Sequence, residues 1–199
     1  MPEKLDLRVI KTRRSIETAF ITLLGRKQFE QITVQNILDE ALVNRKTFYK
    51  HYEDKYNLAD ILIEREDARL EEALRKRFNR TRSPKDVPDA LRDFYLTLFE
   101  GREEILALMK VRTAHHNLSE DFRQILRTAY LDRFSPERTG VDPRELDFLA
   151  ESYAALAFAG IRWALESGDL TSIDVIYDVS YNHANAPGTL FVSYATAWH

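Results

Sequence analysis

Arg45, Lys46, Thr47, Tyr49, Lys50 and His51 crowd into one short stretch and bring a guanidinium, two ammoniums, a hydroxyl, a phenol and an imidazole. All of these groups donate hydrogen bonds, and three carry fixed positive charge. Such a set suits phosphate oxygens and the acceptor-rich edges of bases. Phe48 and Tyr52, four residues apart, turn inward on a helix and leave the polar set mostly on its outer face. Arg45, Lys46 and Thr47 then occupy the first turns, the part of a helix that meets base edges in a major groove about 12 Å wide. Arg45 or Lys46 can donate to guanine O6 and N7, and the Thr47 methyl can meet a thymine methyl. Tyr49, Lys50 and His51, farther along, are better placed for phosphates.

The elements that would position these groups are legible from Thr33 to Leu58, which reads TVQNILDEALVNRKTFYKHYEDKYNL. Thr33 is placed to cap a helix whose buried stripe is Val34, Ile37, Leu38 and Ala41, and Asn44 to cap the next, over 44–52. Two short amphipathic helices with a tight joint are the layout of a helix-turn-helix. Asp54 caps a long helix over roughly 55–80, with Leu58, Ile61, Leu62, Leu70 and Leu74 inward. Thr33 and Lys55 stand at helix N-termini, where free N–H groups and the dipole favour an anion, so they are expected to clamp the backbone on either side. Ahead of them, Leu7, Ile10, Ile16, Ala19, Phe20, Leu23 and Leu24 make roughly 6–26 one amphipathic helix capped by Asp6. Its other face carries Lys4, Arg8, Lys11, Arg13 and Arg14.

Composition supports a folded, soluble chain, and the helical periodicity along it an all-α one. It has 199 residues, 44% hydrophobic and 31% charged, which is enough to bury a core. Without cysteine there is no disulfide framework, thiolate nucleophile or cysteine zinc site, which fits a reducing cytoplasm. The N-terminus lacks the ~7–15 apolar residues of a signal peptide, and no run approaches the ~18 needed to span a bilayer, so no membrane partner is expected. Up to Arg82 there are 18 basic against 14 acidic side chains, and beyond it 11 against 18. Only the first part therefore suits a polyanion.

Arg80 to Pro84 marks a boundary, giving a domain over 1-54, a connecting helix over 55-82 and a C-terminal domain over 83-199. Helices are expected at roughly 88–100, 102–114, 119–134 and 143–167, with a turn at 136–143. In the last of them Leu146, Leu149, Tyr153, Leu156, Ala157, Gly160, Ile161 and Ala164 face inward or toward a partner, and Gly168 stops it. A further helix starts near Ser172 and ends before Pro187. The uncharged tail leaves Phe191, Tyr194 and Trp198 in need of burial.

The residues Thr33-Val34, Ile37, Ala41, Val43, Thr47-Phe48-Tyr49-x-His51-Tyr52 and Lys55-x-x-Leu58 resemble the helix-turn-helix of the tetracycline-repressor (TetR/AcrR) family, over roughly residues 8–62. The resemblance implies an all-helical homodimer that binds double-stranded DNA through its N-terminal domain, and a C-terminal domain that takes a small-molecule effector and dimerises through its last two helices. It also implies phosphate contacts for Tyr49, His51 and Lys55, and base or backbone contacts for Arg45, Lys46 and Thr47. Two positions depart from the pattern. Leu42 and Gln28 stand where the family usually has glycine, and Leu42 is penalised if the turn demands positive φ.

Candidate effector-pocket residues are Arg112, His116, Tyr153 and Trp163, and candidate dimer residues are Leu149, Leu156, Gly160 and Trp163. The adjacent His115 and His116 point different ways on a helix and cannot chelate one metal as an i,i+4 pair would. No phosphate loop, G-x-S-x-G or H-E-x-x-H occurs, so neither an enzyme nor a cofactor is expected. The reading is a homodimeric repressor released from a palindromic operator by an effector. The alternative is a DNA-binding co-regulator or architectural factor whose C-terminal domain docks a protein.

Overall fold

The computed structural model describes residues 7–81, 83–134, 142–169 and 171–177. Among these, every regular element is a helix or a 3-10 turn. The helices are α1 (Leu7–Leu24), α2 (Val34–Ala41), α3 (Arg45–Tyr49), α4 (Lys55–Arg80), α5 (Val87–Phe99), α6 (Arg102–Leu108), α7 (Leu118–Arg133), α8 (Pro143–Ser167) and α9 (Ser172–Tyr177), with 3-10 turns at Phe29–Gln31 and Pro84–Asp86. None of them is long and apolar enough to cross a membrane. Lys4, the Asp6 cap, Arg82, residues 135–141 of the expected turn, and everything expected of the tail beyond Tyr177 lie outside the described residues.

Two compact units emerge. The first holds the chain up to Glu66 together with Glu103–Leu118, and the second holds Asp67–Arg102 and the chain from Ser119 onward. In the first, α1 packs on α2 through Ile16, Ala19, Phe20, Leu23 and Leu24, against Ile37, Leu38 and Ala41. Leu7 and Ile10, expected in that stripe, are exposed, because the buried face of α1 begins only at Ile16. Phe48, Tyr52, Leu58, Ala59, Leu62 and Ile63 complete this core. Truncating a buried aromatic such as Phe48 costs about 3–5 kcal/mol.

In the second unit α5 buries Leu91, Phe94, Tyr95 and Leu98 and packs on α8 and α9. Helix α8 opens on Pro143 behind the Asp142 cap, whose carboxylate accepts from the Arg144 N–H at 2.8 Å. It ends at Gly168, with φ 69°. A Cβ there would stand 3.1 Å from Arg102 Nη2, and the Arg102 Nε donates to the Leu165 carbonyl at 2.6 Å. The guanidinium thus satisfies a free carbonyl at the negative end of the helix, and the left-handed φ of Gly168 is the conformation that favours glycine there.

The helix expected over 102–114 stops at Leu108. Local hydrogen bonding explains the early end. Thr113 Oγ1 accepts from the His115 and His116 N–H groups at 3.2 and 2.9 Å and donates to Asp60 at 2.6 Å. A hydroxyl that satisfies nearby backbone and reaches a distant carboxylate competes with helix continuation.

Candidate nucleic-acid interface

Local capping builds α2 and α3. Thr33 Oγ1 accepts from the Asn36 N–H at 3.2 Å while Asn36 Oδ1 accepts from the Thr33 N–H at 3.1 Å, a reciprocal capping box opening α2. Asn44 Oδ1 accepts from both the Thr47 N–H and the Thr47 hydroxyl, at 2.9 and 3.0 Å. The Asn44 side-chain oxygen and the Thr47 hydroxyl proton are therefore engaged in holding the start of α3, and Thr47 keeps its methyl and the acceptor side of its hydroxyl for a ligand. Phe48 and Tyr52 anchor the inner face.

The joint between α2 and α3 turns at Leu42, with φ 55° and ψ 41°. The Leu42 and Val43 N–H groups both return to the Leu38 carbonyl, and Ser15 Oγ donates to the Ala41 carbonyl at 2.9 Å. The turn thus demands the left-handed conformation, and a leucine holds it with its side chain 91% exposed. Gln28 is different: φ is −67° and ψ is 146°, extended backbone in which a side chain carries no penalty.

Arg45, Lys46, Tyr49 and Lys50 are exposed and His51 is half-buried. The expected helix over 44–52 is regular only from Arg45 to Tyr49, although single backbone bonds carry the helical path on through Lys50, His51 and Tyr52. The Arg45 guanidinium lies 5.7 Å from the Tyr49 ring centroid, which holds both side chains on the outer face. Burial, then the charges of Lys50 and Arg13, push the His51 imidazole below its usual pKa.

Lys55 has a different job from the one its position suggests. Its Nζ donates to the carbonyls of Phe29, Glu30 and Ile32, at 2.8, 3.2 and 2.8 Å. It also lies 4.6 and 5.2 Å from the ring centroids of Phe29 and Tyr56. Burial lowers its pKa, against the opposing pull of Glu30 and Asp54. The ammonium, with three donors and three carbonyls, ties the turn before α2 to the start of α4. A phosphate near Lys55 would meet backbone N–H groups rather than this ammonium.

Glu17 is a second organiser, and spacing along the chain gave no sign of it. Its carboxylate accepts from Tyr52 Oη at 2.7 Å and from Arg65 Nη1 at 2.8 Å, with Arg13 Nε at 4.0 Å. Arg65 Nη2 donates in turn to Glu104 at 2.6 Å. Burial pushes Tyr52 up to about 12, even with Arg13 pulling the other way. Burial works against the Arg65 charge, but the bonds to Glu17 and Glu104 hold its pKa above the usual value.

The candidate effector residues are divided between the two units. Arg112, exposed, and His116, half-buried and 3.5 Å from Glu64, belong to the first unit, whereas Tyr153 and Trp163 belong to the second. Tyr153 is half-buried and Trp163 is 46% exposed. Along α8 the exposed apolar face is Phe148, Ala155, Leu156, Ala159 and Trp163. Of the expected dimer residues, Leu156 and Trp163 lie on it. Gly160 is partly covered, and Leu149 packs beside Tyr130, Leu146 and Ala150.

The same helical order recurs in solved structures. The chain superposes on a gamma-butyrolactone receptor described as ArpA-like, with TM-score 0.58 and 18% identity over 97% of this chain and 96% of the other. It also superposes on DhaS, the activator of a dihydroxyacetone kinase operon, with TM-score 0.55 and 18% identity over 84% of this chain and 93% of that one. The chain has the TetR-like fold. In sequence, the segment shared with YxbF, an uncharacterised HTH-type transcriptional regulator of Bacillus subtilis (strain 168), is 35% identical over 69 residues. That segment is 34% of this chain and 18% of YxbF, so the likeness concerns a small part of the relative. No family model matches the chain. Within that fold α2 packs on both α1 and α3, and α3 turns Arg45, Lys46 and Tyr49 outward.

Proposed function

We propose that this protein is a transcriptional regulator that binds double-stranded DNA as a homodimer and represses from a palindromic operator until a small-molecule effector releases it. One observation carries the DNA reading. On α3 the inner side chains are committed to core and cap, while Arg45, Lys46, Tyr49 and Lys50 stand exposed on the outer face. Arg45 and Lys46 serve base edges; Tyr49, Lys50 and His51 serve phosphates, with the N-termini at Thr33 and Lys55 flanking them. Residues 1-54 form the reading head, 55-82 connect it, and 83-199 hold the dimer contact and, with the end of the connecting helix, the effector. The TetR-like fold and the helix-turn-helix relative support this reading.

Two heads joined by a dimer contact read two half-sites about 34–36 Å apart, so an effector that favours another separation lowers affinity without touching DNA. The exposed α8 stripe supports the homodimer, since contiguous apolar surface calls for a partner. The test is selection from a random duplex pool, followed by salt-series titration of wild type, Arg45→Ala and Lys50→Ala. A two-fold symmetric site, affinity falling steeply with salt, loss of base preference in Arg45→Ala and a slope shallower by about one in Lys50→Ala are expected. No enriched site, with both variants equal to wild type, would sink the reading and move a protein-docking factor ahead.

A further inference from the structure

Within the second unit, the later half of α4 and helix α5 border a groove of about 480 Å³, open to solvent along one side. That volume lies in the range of small-molecule sites. Lys76, Arg77 and Arg80 bring three cations to it, and Asp93 and Glu100 bring two carboxylates. Most of this charge is already matched. Arg80 pairs with Asp93, Glu100 with Arg69 at 3.3 Å, and Lys76 with Glu72 at 3.5 Å.

Arg77 is the exception. Its Nη1 donates to Tyr153 Oη at 3.2 Å, and its guanidinium carbon lies 5.6 Å from the ring centroids of both Phe78 and Phe94. A phenol and two ring faces orient a guanidinium without neutralising it. Among the described residues, no carboxylate lies within ion-pair distance of it. Arg77 is half-buried, so its charge is partly withdrawn from water with no counter-ion in return. The nearby Tyr95 hydroxyl, its pKa raised by burial, stays neutral as well.

We infer that this groove binds a small organic monocarboxylate, its carboxylate paired with Arg77 and its apolar body laid against Leu96, the exposed apolar side chain of the lining. The planar guanidinium fork matches a carboxylate. One unmatched charge suits a monoanion; a phosphate dianion would bring a surplus charge beside Asp93 and Glu100. Tyr153 is a positioning residue, holding one N–H so that the others face the ligand. As the effector class of the proposed regulator, this inference rests on that function, but binding can be read without DNA.

The experiment is calorimetric titration of the full chain with hexanoate, octanoate and phenylacetate, each beside its neutral amide. At least one acid is expected to bind saturably and at least about tenfold more tightly than its amide, which corresponds to ~1.4 kcal/mol. Arg77→Gln should weaken that acid about tenfold or more. Tyr153→Phe, which keeps the ring, should weaken it several-fold, and Arg144→Gln, an exposed cation of the same unit outside the groove, should leave it unchanged. The acid and amide comparison needs only wild type, so it stands even if Arg77→Gln does not fold. No binding by any acid, equal binding of acid and amide, or an unaffected Arg77→Gln would each overturn the site. A DNA titration with the bound acid separates the two readings. If the acid binds through Arg77 and the selected duplex is held as before, the site stands and the effector role falls.

Discussion

Leu42 holds a left-handed turn with φ 55°, and nothing covers its side chain. A non-glycine residue there costs about 1–2 kcal/mol in local sterics, while glycine returns part of that through a freer unfolded chain. Leu42→Gly is therefore expected to raise stability by about 0.5–1 kcal/mol, read as a higher urea midpoint with unchanged slope. His51 carries the pH prediction. Its folded pKa is lowered, so between the unfolded value near 6.5 and the folded value the unfolded chain binds more protons. Its contribution to stability is whole above pH about 6.5 and is lost as pH falls below that. A phosphate beside it favours the charged form, so DNA affinity should rise as pH drops from about 7.5 to 5.5. Titrations across that range, with His51→Gln showing a flatter profile, check it; equal profiles would remove His51 from the interface.

At the scale of elements, two polar clamps set the pose of α3. Lys55 ties three carbonyls of the 29–32 turn to the start of α4. Lys55→Met keeps the stem and strands those acceptors, at an expected cost of about 1–3 kcal/mol with faster amide exchange confined to the turn. Glu17 joins α1 to the end of α3 through Tyr52 and to α4 through Arg65. Glu17→Gln keeps one acceptor and loses the charge, so operator affinity should fall several-fold while the salt slope stays constant. A changed slope would mean that Glu17 acts on phosphate contacts directly. These clamps link residues 23 to 48 positions apart, which is why helical periodicity could place Lys55 at an N-terminus but not foresee its bonds.

For the whole molecule, the basic part and the acidic remainder agree with a chain that meets DNA at one end only. The α8 face of Phe148, Ala155, Leu156, Ala159 and Trp163 is the surface on which a second copy would sit, with Phe148 60% exposed. Trp163→Asp is expected to turn dimer into monomer in sedimentation velocity and to lower affinity for a two-half-site duplex by at least about tenfold, while leaving single half-site binding alone. A dimer that survives both Trp163→Asp and Phe148→Asp would assign the contact elsewhere.

Helix positions were legible in the sequence because their causes are local. Thr33, Asn44 and Asp54 cap the helices that follow them, and Pro143 and Gly168 bound α8. Phe48 and Tyr52, four apart, had to share the buried side of α3. The exposed cations of that helix followed from the same spacing. What only the tertiary structure decided is how groups far apart in the chain meet. It gave the Lys55 ammonium to carbonyls, joined Tyr52 to Glu17, ended α6 at Leu108 and turned Phe148 outward where Leu149 was expected. It also brought Arg77 to Tyr153 across 76 residues, without a carboxylate. A helical repeat defines a face to within a turn. Whether that face meets a partner, a core or water depends on contacts that no local spacing encodes.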